Sequence, residues 1–168
     1  DDRDPHIWLD PANVITVAEA LSARLSLMAP DKAEAFERRT AALVKRLRRL
    51  NGALEKQFEP VAKRGFVVFH PAYSHMVSRY GLNQLGYISI TPEQRSGAKK
   101  WLEINRLAPV CVVGEVGQPM TRIQQLAKSS DASVVVLDPL DSLEKSQNIV
   151  ELIQTTADAL VQCLDTPA

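Results

Sequence analysis

Nowhere in the 168 residues does an apolar run approach the roughly 20 that a membrane-spanning helix needs. An excess of one charge is lacking too, since Lys+Arg and Asp+Glu number 20 each. Neutrality removes the electrostatic argument for a nucleic-acid or anionic-membrane partner. There is no G-x-S-x-G elbow, Walker glycine loop, G-x-G-x-x-G fingerprint or C-x-x-C pair, so no familiar catalytic framework is supported. Ser74 beside His75 makes no triad by adjacency. Two cysteines, Cys111 and Cys163, are too few and too far apart for a zinc knuckle. From the residues alone, buried thiols and one disulfide stay equally open. Repeats and low-complexity segments are also missing. No methionine or leader opens the chain, so any export signal is expected upstream of Asp1.

What is present is one domain's length of chain, or a domain with an appendage. Asp10 and Pro11 suit an N-cap and first helical turn, and Val14, Ala18, Leu21, Leu25 and Met28 follow as one apolar stripe. Pro30 stops that helix and Asp31 is placed to cap the next. The second helix, from about 32 to 58, is long and charged. Its narrow seam is Phe36, Leu43, Leu47, Leu50, Leu54 and Phe58, the pattern of a surface strut rather than a coiled coil.

From Gly65 the pattern changes. "GFVVFH", "LGYISI", "VCVVGE" and "SVVVLD" are short β-branched or aromatic runs of the kind that buried parallel strands show. Helical stretches are expected between them at 71–80, roughly 97–107 and 119–129. A closing helix carries Val150, Ile153, Ala157, Leu160 and Leu164 on one face. The alternation predicts an α/β fold: a four-stranded parallel sheet with flanking helices, preceded by the long helix and one orphan amino-terminal helix. Ligands of such sheets gather at the carboxyl ends of the strands.

Three strands end in residues able to ligate a metal: His70, Glu115 and Asp138. Each has a plain structural alternative. His70 can bond a carbonyl, Asp138 can cap the turn at Pro139, and Glu115 can be a solvated strand end. His75 diverges from His70 along the expected helix and reads as a neighbour of the site or as surface. "DPHIWLDP" at the start holds His6 between Asp4 and Asp10, either as a turn closing an apolar plug or as a loop presenting an imidazole. His6, His70 and Asp138 each terminate a proline-stiffened segment, and two nitrogens with one oxygen suit Zn²⁺.

Taken in order, "DPHIWLDP", a long helix, "FVVFHPAYSHMVSRYGL", "ISITPEQRSGA" and "VVVLDPL" resemble the ZnuA/TroA-type metal-binding proteins of ABC transporters along the whole chain. The resemblance implies two α/β lobes joined by a long helix, with metal in the cleft. It carries His6 over as a ligand from the amino-terminal lobe, and His70 and Asp138 as two from the carboxy-terminal lobe. Ile7 and Trp8 would anchor the His6 loop. It further implies a Cys111–Cys163 disulfide, a Zn²⁺ cargo in preference to Mn²⁺, and no enzymatic activity. A membrane permease is the implied partner. The implied location is periplasmic, or extracellular on a lipid anchor.

The departures are as informative. The family's first ligand and amino-terminal half have no counterpart, so the chain is expected to be a carboxy-terminal half. Residues 1–30 would be a remnant of the amino-terminal lobe, 31–60 the linker helix and 61–168 the metal-binding lobe. "DPLD" stands where D-P-L-G is usual, and His75–Met76 where an aromatic is common. With the first ligand missing, zinc binding is expected to be weak, and whether His6 is held near the other two stays open. The orphan stripe is expected either to pair two chains or to fold onto its own strut. The competing functions are a cell-surface adhesin and, less supported, a metalloenzyme built on the same three residues.

Overall fold

The computed structural model describes residues 4–89, 98–141 and 144–166. Most of the "ISITPEQRSGA" stretch, and the start of the expected helix at Gly97, lie outside them. The four apolar runs form strands β1 (Phe66–Val68), β2 (Gln84–Tyr87), β3 (Cys111–Glu115) and β4 (Ser133–Leu137). They make one parallel sheet in the order β2-β1-β3-β4. Parallel strands need crossovers, and the helices between them supply these.

Alternation along the strands sorts the core to two faces. Phe66, Val68, Cys111, Val113 and Leu137 join one cluster, with Ile153, Ala157, Leu160 and Leu164 of the closing helix and Leu47, Leu54 and Phe58 of the long one. Val67, Phe69 and Val112 face the other cluster, with Ile104, Ile123 and Leu126. The sheet is therefore covered by helices on both sides. β4 is an edge strand that departs from the fully buried pattern: Val134 and Val136 on its second face are exposed.

The helices are α1 (Pro11–Met28), α2 (Ala33–Phe58), α3 (Ser74–Tyr80), α4 (Ala98–Arg106), α5 (Met120–Ser130) and α6 (Ile149–Asp165). Asp10 caps α1 as expected, accepting from Ala12 N at 2.8 Å. Asp31 does not cap α2; it lies inside a single 3-10 turn, Pro30–Lys32, that joins the two helices. Helix α3 begins at Ser74 rather than at Pro71, because Ala72 N bonds back to His70 O (2.9 Å) and spends those residues on a turn. The face of α6 agrees with the sequence, with Val150 only partly buried.

Of the stripe expected on α1, Val14, Ala18 and Leu25 are half-buried on the packing side. Helix α1 lies along α2, and an open groove beside their contact is lined by Ser22, Ala23 and Ser26 on one helix and Thr40, Ala41 and Val44 on the other. Val14 reaches the core, whereas Leu21 and Met28 point to solvent. The disulfide Cys111–Cys163 is present, with Cα atoms 5.7 Å apart, and fastens α6 to the central strand β3.

Candidate metal centre

The carboxyl edge of the sheet gathers the chemistry. His70 follows β1 by two residues and Glu115 ends β3, and the register Val68↔Val113 makes them neighbours on adjacent strands. Both are buried, so Glu115 is not the solvated strand end that its sequence allowed. His70 Nδ1 lies 2.5 Å from Glu115 Oε1. The angle between them falls short of a hydrogen bond, and neither atom has another hydrogen-bonding partner.

The His6 loop is tied to this edge from three directions. Asp4 Oδ1 accepts from His6 N (2.9 Å) and from His6 Nδ1 (2.6 Å). Its Oδ2 accepts from Ser74 N (3.0 Å) and from the Ser74 hydroxyl, so Asp4 caps α3 from 70 residues away. Trp8 Nε1 donates to Pro139 O at 2.8 Å, joining the loop to the turn after β4. Arg79 of α3 grips the Asp10 carboxylate through Nε and NH2 at 2.9–3.1 Å. The apolar anchors are Trp8, packed on the core, and the fully buried Leu9. Ile7, expected to share that role, is 41% exposed.

His75 is used up by the same clasp. Its Nε2 donates to Asp4 O (2.9 Å) and its Nδ1 accepts from Asn13 Nδ2 (3.3 Å), which fixes the tautomer and leaves no lone pair for a ligand. Asp141, the residue in place of a glycine, adopts φ +51°, a region that Asp tolerates better than most side chains. Its carboxylate accepts from Lys145 N and Ser146 N at 3.0–3.2 Å and staples its own loop.

His6 and His70 are brought together, their ring centroids 5.3 Å apart and their planes at 65°. With Nδ1 protonated toward Asp4, His6 keeps the Nε2 lone pair free. Asp138 follows β4 and immediately precedes the Pro139 carbonyl that Trp8 binds. Its charge is felt at Tyr73, whose phenol is held well above its ordinary pKa by burial first and then by Glu115, Asp138 and Asp4. The Tyr73 hydroxyl has no hydrogen-bonding partner among the described residues. Burial alone would raise the pKa of Asp4; the hydrogen bonds from Ser74 and His6 outweigh it and leave the carboxyl lowered. Among the described residues, no group of three His, Cys, Asp or Glu side chains is arranged to hold an ion. The pair His6–His70 is formed.

Sequence reasoning missed Asp4 as the orienting carboxylate, weighed Ser74 only as a triad member, and missed Arg79 and Tyr73 altogether. The donor set nonetheless fits a metal: one imidazole has its distal nitrogen free, and a second sits beside a carboxylate. Three buried polar atoms around them, on His70, Glu115 and Tyr73, lack partners.

A parallel α/β lobe with one buried and one half-buried imidazole at the carboxyl edge of its sheet belongs to the open-sheet class, in which ligands gather at that edge. More narrowly, the chain belongs to the family described as zinc-uptake complex component A, periplasmic, whose profile matches residues 1–163. It is 31% identical to the high-affinity zinc uptake system protein ZnuA of Haemophilus ducreyi, covering 97% of this chain and 54% of that protein. Zn(II)-bound AdcAII of Streptococcus pneumoniae, an E280Q variant, superposes with a TM-score of 0.83 at 27% identity, over 96% of this chain and 61% of that one. The laminin-binding protein of Streptococcus agalactiae, described as having adhesin and metal-transporting activity, gives 0.87 at 26%, over 96% and 65%. The chain spans about a third to just over half the length of the curated relatives it matches.

Proposed function

We propose that this chain captures Zn²⁺ through His6, His70 and Asp138, as part of a binding protein that delivers the ion to an ABC permease. The observation that carries the reading is the convergence of the His6 and His70 rings, each with Nδ1 against a buried carboxylate. Imidazole donors favour zinc over manganese, which prefers oxygen. Relatives described as zinc-binding or zinc-uptake proteins support the same cargo and a transport role without catalysis. They also support a location in the periplasm or on a lipid anchor outside the cell. To this proposal belong the division into 1–30, 31–60 and 61–168 and the pairing of two chains through α1. With His6, His70 and Asp138 as ligands, water fills the fourth position.

The test is a zinc titration against a competing chelator. The chain is expected to bind, more weakly than a relative of full length, and His70→Ala to abolish what it binds. An unchanged titration for His70→Ala overturns the assignment. Adhesion is the second reading, favoured by the laminin-binding neighbour. Metal analysis of the purified protein separates zinc capture from a metal-free adhesin, since an adhesin without cargo carries no stoichiometric zinc.

A further inference from the structure

We propose that Glu115 is the positioning residue of His70: its carboxylate accepts a hydrogen bond from Nδ1–H of the imidazole and so turns Nε2 toward the ion. The inference rests on the zinc reading above and deepens it.

The sheet itself sets the pair up. Phe69 N bonds to Val113 O at 2.8 Å, continuing the β1–β3 ladder past Val68↔Val113. Two residues further on each strand, His70 and Glu115 come side by side. Side chains at this spacing share a face, so no loop has to be ordered to bring them together. Both side chains are enclosed, at 10% and 6% exposed. Water is thus kept from two atoms that would otherwise use it.

The comparison within the molecule shows what the pair lacks. Asp4 and His6 stand 2.6 Å apart in an aligned hydrogen bond. Glu115 and His70 stand equally close but out of line, and both atoms remain unsatisfied. A small rotation of the ring that carries Nε2 to an ion also brings Nδ1–H onto Oε1. Ligation and the hydrogen bond then form together, and each favours the other. Carboxylates behind metal-binding imidazoles act in this way, fixing the tautomer and ring orientation and raising the basicity of the ligating nitrogen. Glu115 itself is not a ligand here, because its near oxygen is directed at the imidazole. The two histidines thus become a matched pair, each backed by a carboxylate from a different part of the chain.

Three variants test this in the intact chain, read by competitive Zn²⁺ titration, by Co²⁺ absorption bands and by the metal-free melting temperature. Glu115→Gln keeps the shape and loses the charge. It is expected to weaken zinc binding by about 10- to 100-fold, to shift the Co²⁺ bands, and to melt no lower than the parent. Glu115→Asp, with the charge restored one methylene short, is expected to fall between them. Equal affinity of Glu115→Gln and the parent overturns the proposal, as does a loss in both variants that merely tracks a falling melting temperature. His70→Ala separates this failure from that of the zinc reading. If it leaves binding intact, the site is wrong; if it abolishes binding while Glu115→Gln does not, only the role of Glu115 is wrong.

Discussion

Two phenols at the two ends of α3, Tyr73 just before it and Tyr80 as its last residue, respond to alkali in a way that follows from their surroundings. Tyr80 stacks on Phe58 at 5.1 Å and donates to Asn51 Oδ1 at 3.1 Å. Burial, with the Asp10 carboxylate nearby, raises its pKa, and burial with the Glu115 carboxylate nearby raises that of Tyr73. A phenol raised in the folded state is neutral in both states below the ordinary value near 10, so its contribution is fully present there. Above about pH 10 the unfolded phenol ionises while the folded one keeps its proton, and stability falls until the folded pKa is passed. Phenolate absorbance from Tyr73 and Tyr80 should therefore rise together with the loss of far-UV ellipticity. Their ionisation near pH 10 in a protein still folded would contradict these environments. Residues of this kind were the hardest to read from sequence. His70 and Asp138 announce themselves because a proline follows each at a strand end. The roles of Asp4 and Tyr73 depend on neighbours brought from distant parts of the chain, and no local pattern encodes such contacts.

Among the elements, β3 bears the most connections: two sheet neighbours, α5 on one face and the disulfide to α6 on the other. Gly114 in this strand lets α5 approach so closely that an added Cβ would meet Ile123 Cδ1 at 2.5 Å. On the opposite face the Cys111–Cys163 bond closes a separation of 52 residues. On the chain-entropy view such a loop adds at most about 4 kcal/mol by restricting the unfolded chain. The unfolded, unreduced protein is expected to show no titratable thiol, and reduction to lower the melting temperature without moving β3. Two free thiols would sink this account. The strands were legible because β-branched runs bounded by Gly, Pro and Asp leave little choice. The start of α3 was not, since Pro71 is as compatible with a turn as with a first helical turn. Burial of α1 was legible only in part: Val14, Ala18 and Leu25 are half-buried as their spacing suggests, whereas Leu21 and Met28 of the same stripe face solvent.

For the whole molecule, the outer residues of α1 have a consequence at the surface. Val17, Leu21 and Met28, spaced by four and seven, face solvent on one side of the helix, exposed by 49%, 55% and 71%, with the exposed Arg24 between the last two. Leu27 beside them is 74% exposed. Burying each such apolar side chain is worth roughly 1.5–3 kcal/mol, and clustered exposed apolar residues on a protein surface mark an interface. Helix α1 folds onto its own strut α2 and still presents apolar residues outward. Relatives of nearly twice the length have further chain with which to cover such a stripe. The 168 residues by themselves are expected to cover it with a second copy, pairing α1 against α1 about a two-fold axis. Light scattering across a concentration series should show a monomer giving way to a dimer. Leu21→Lys with Met28→Lys should hold the chain monomeric, because a charge at each site opposes its own copy across the axis. Zinc affinity should be unaffected, since the stripe does not include the His6 loop and its clasp on α3. A chain that stays monomeric at the highest concentration, with the double variant indistinguishable from it, would remove the stripe as an interface between copies.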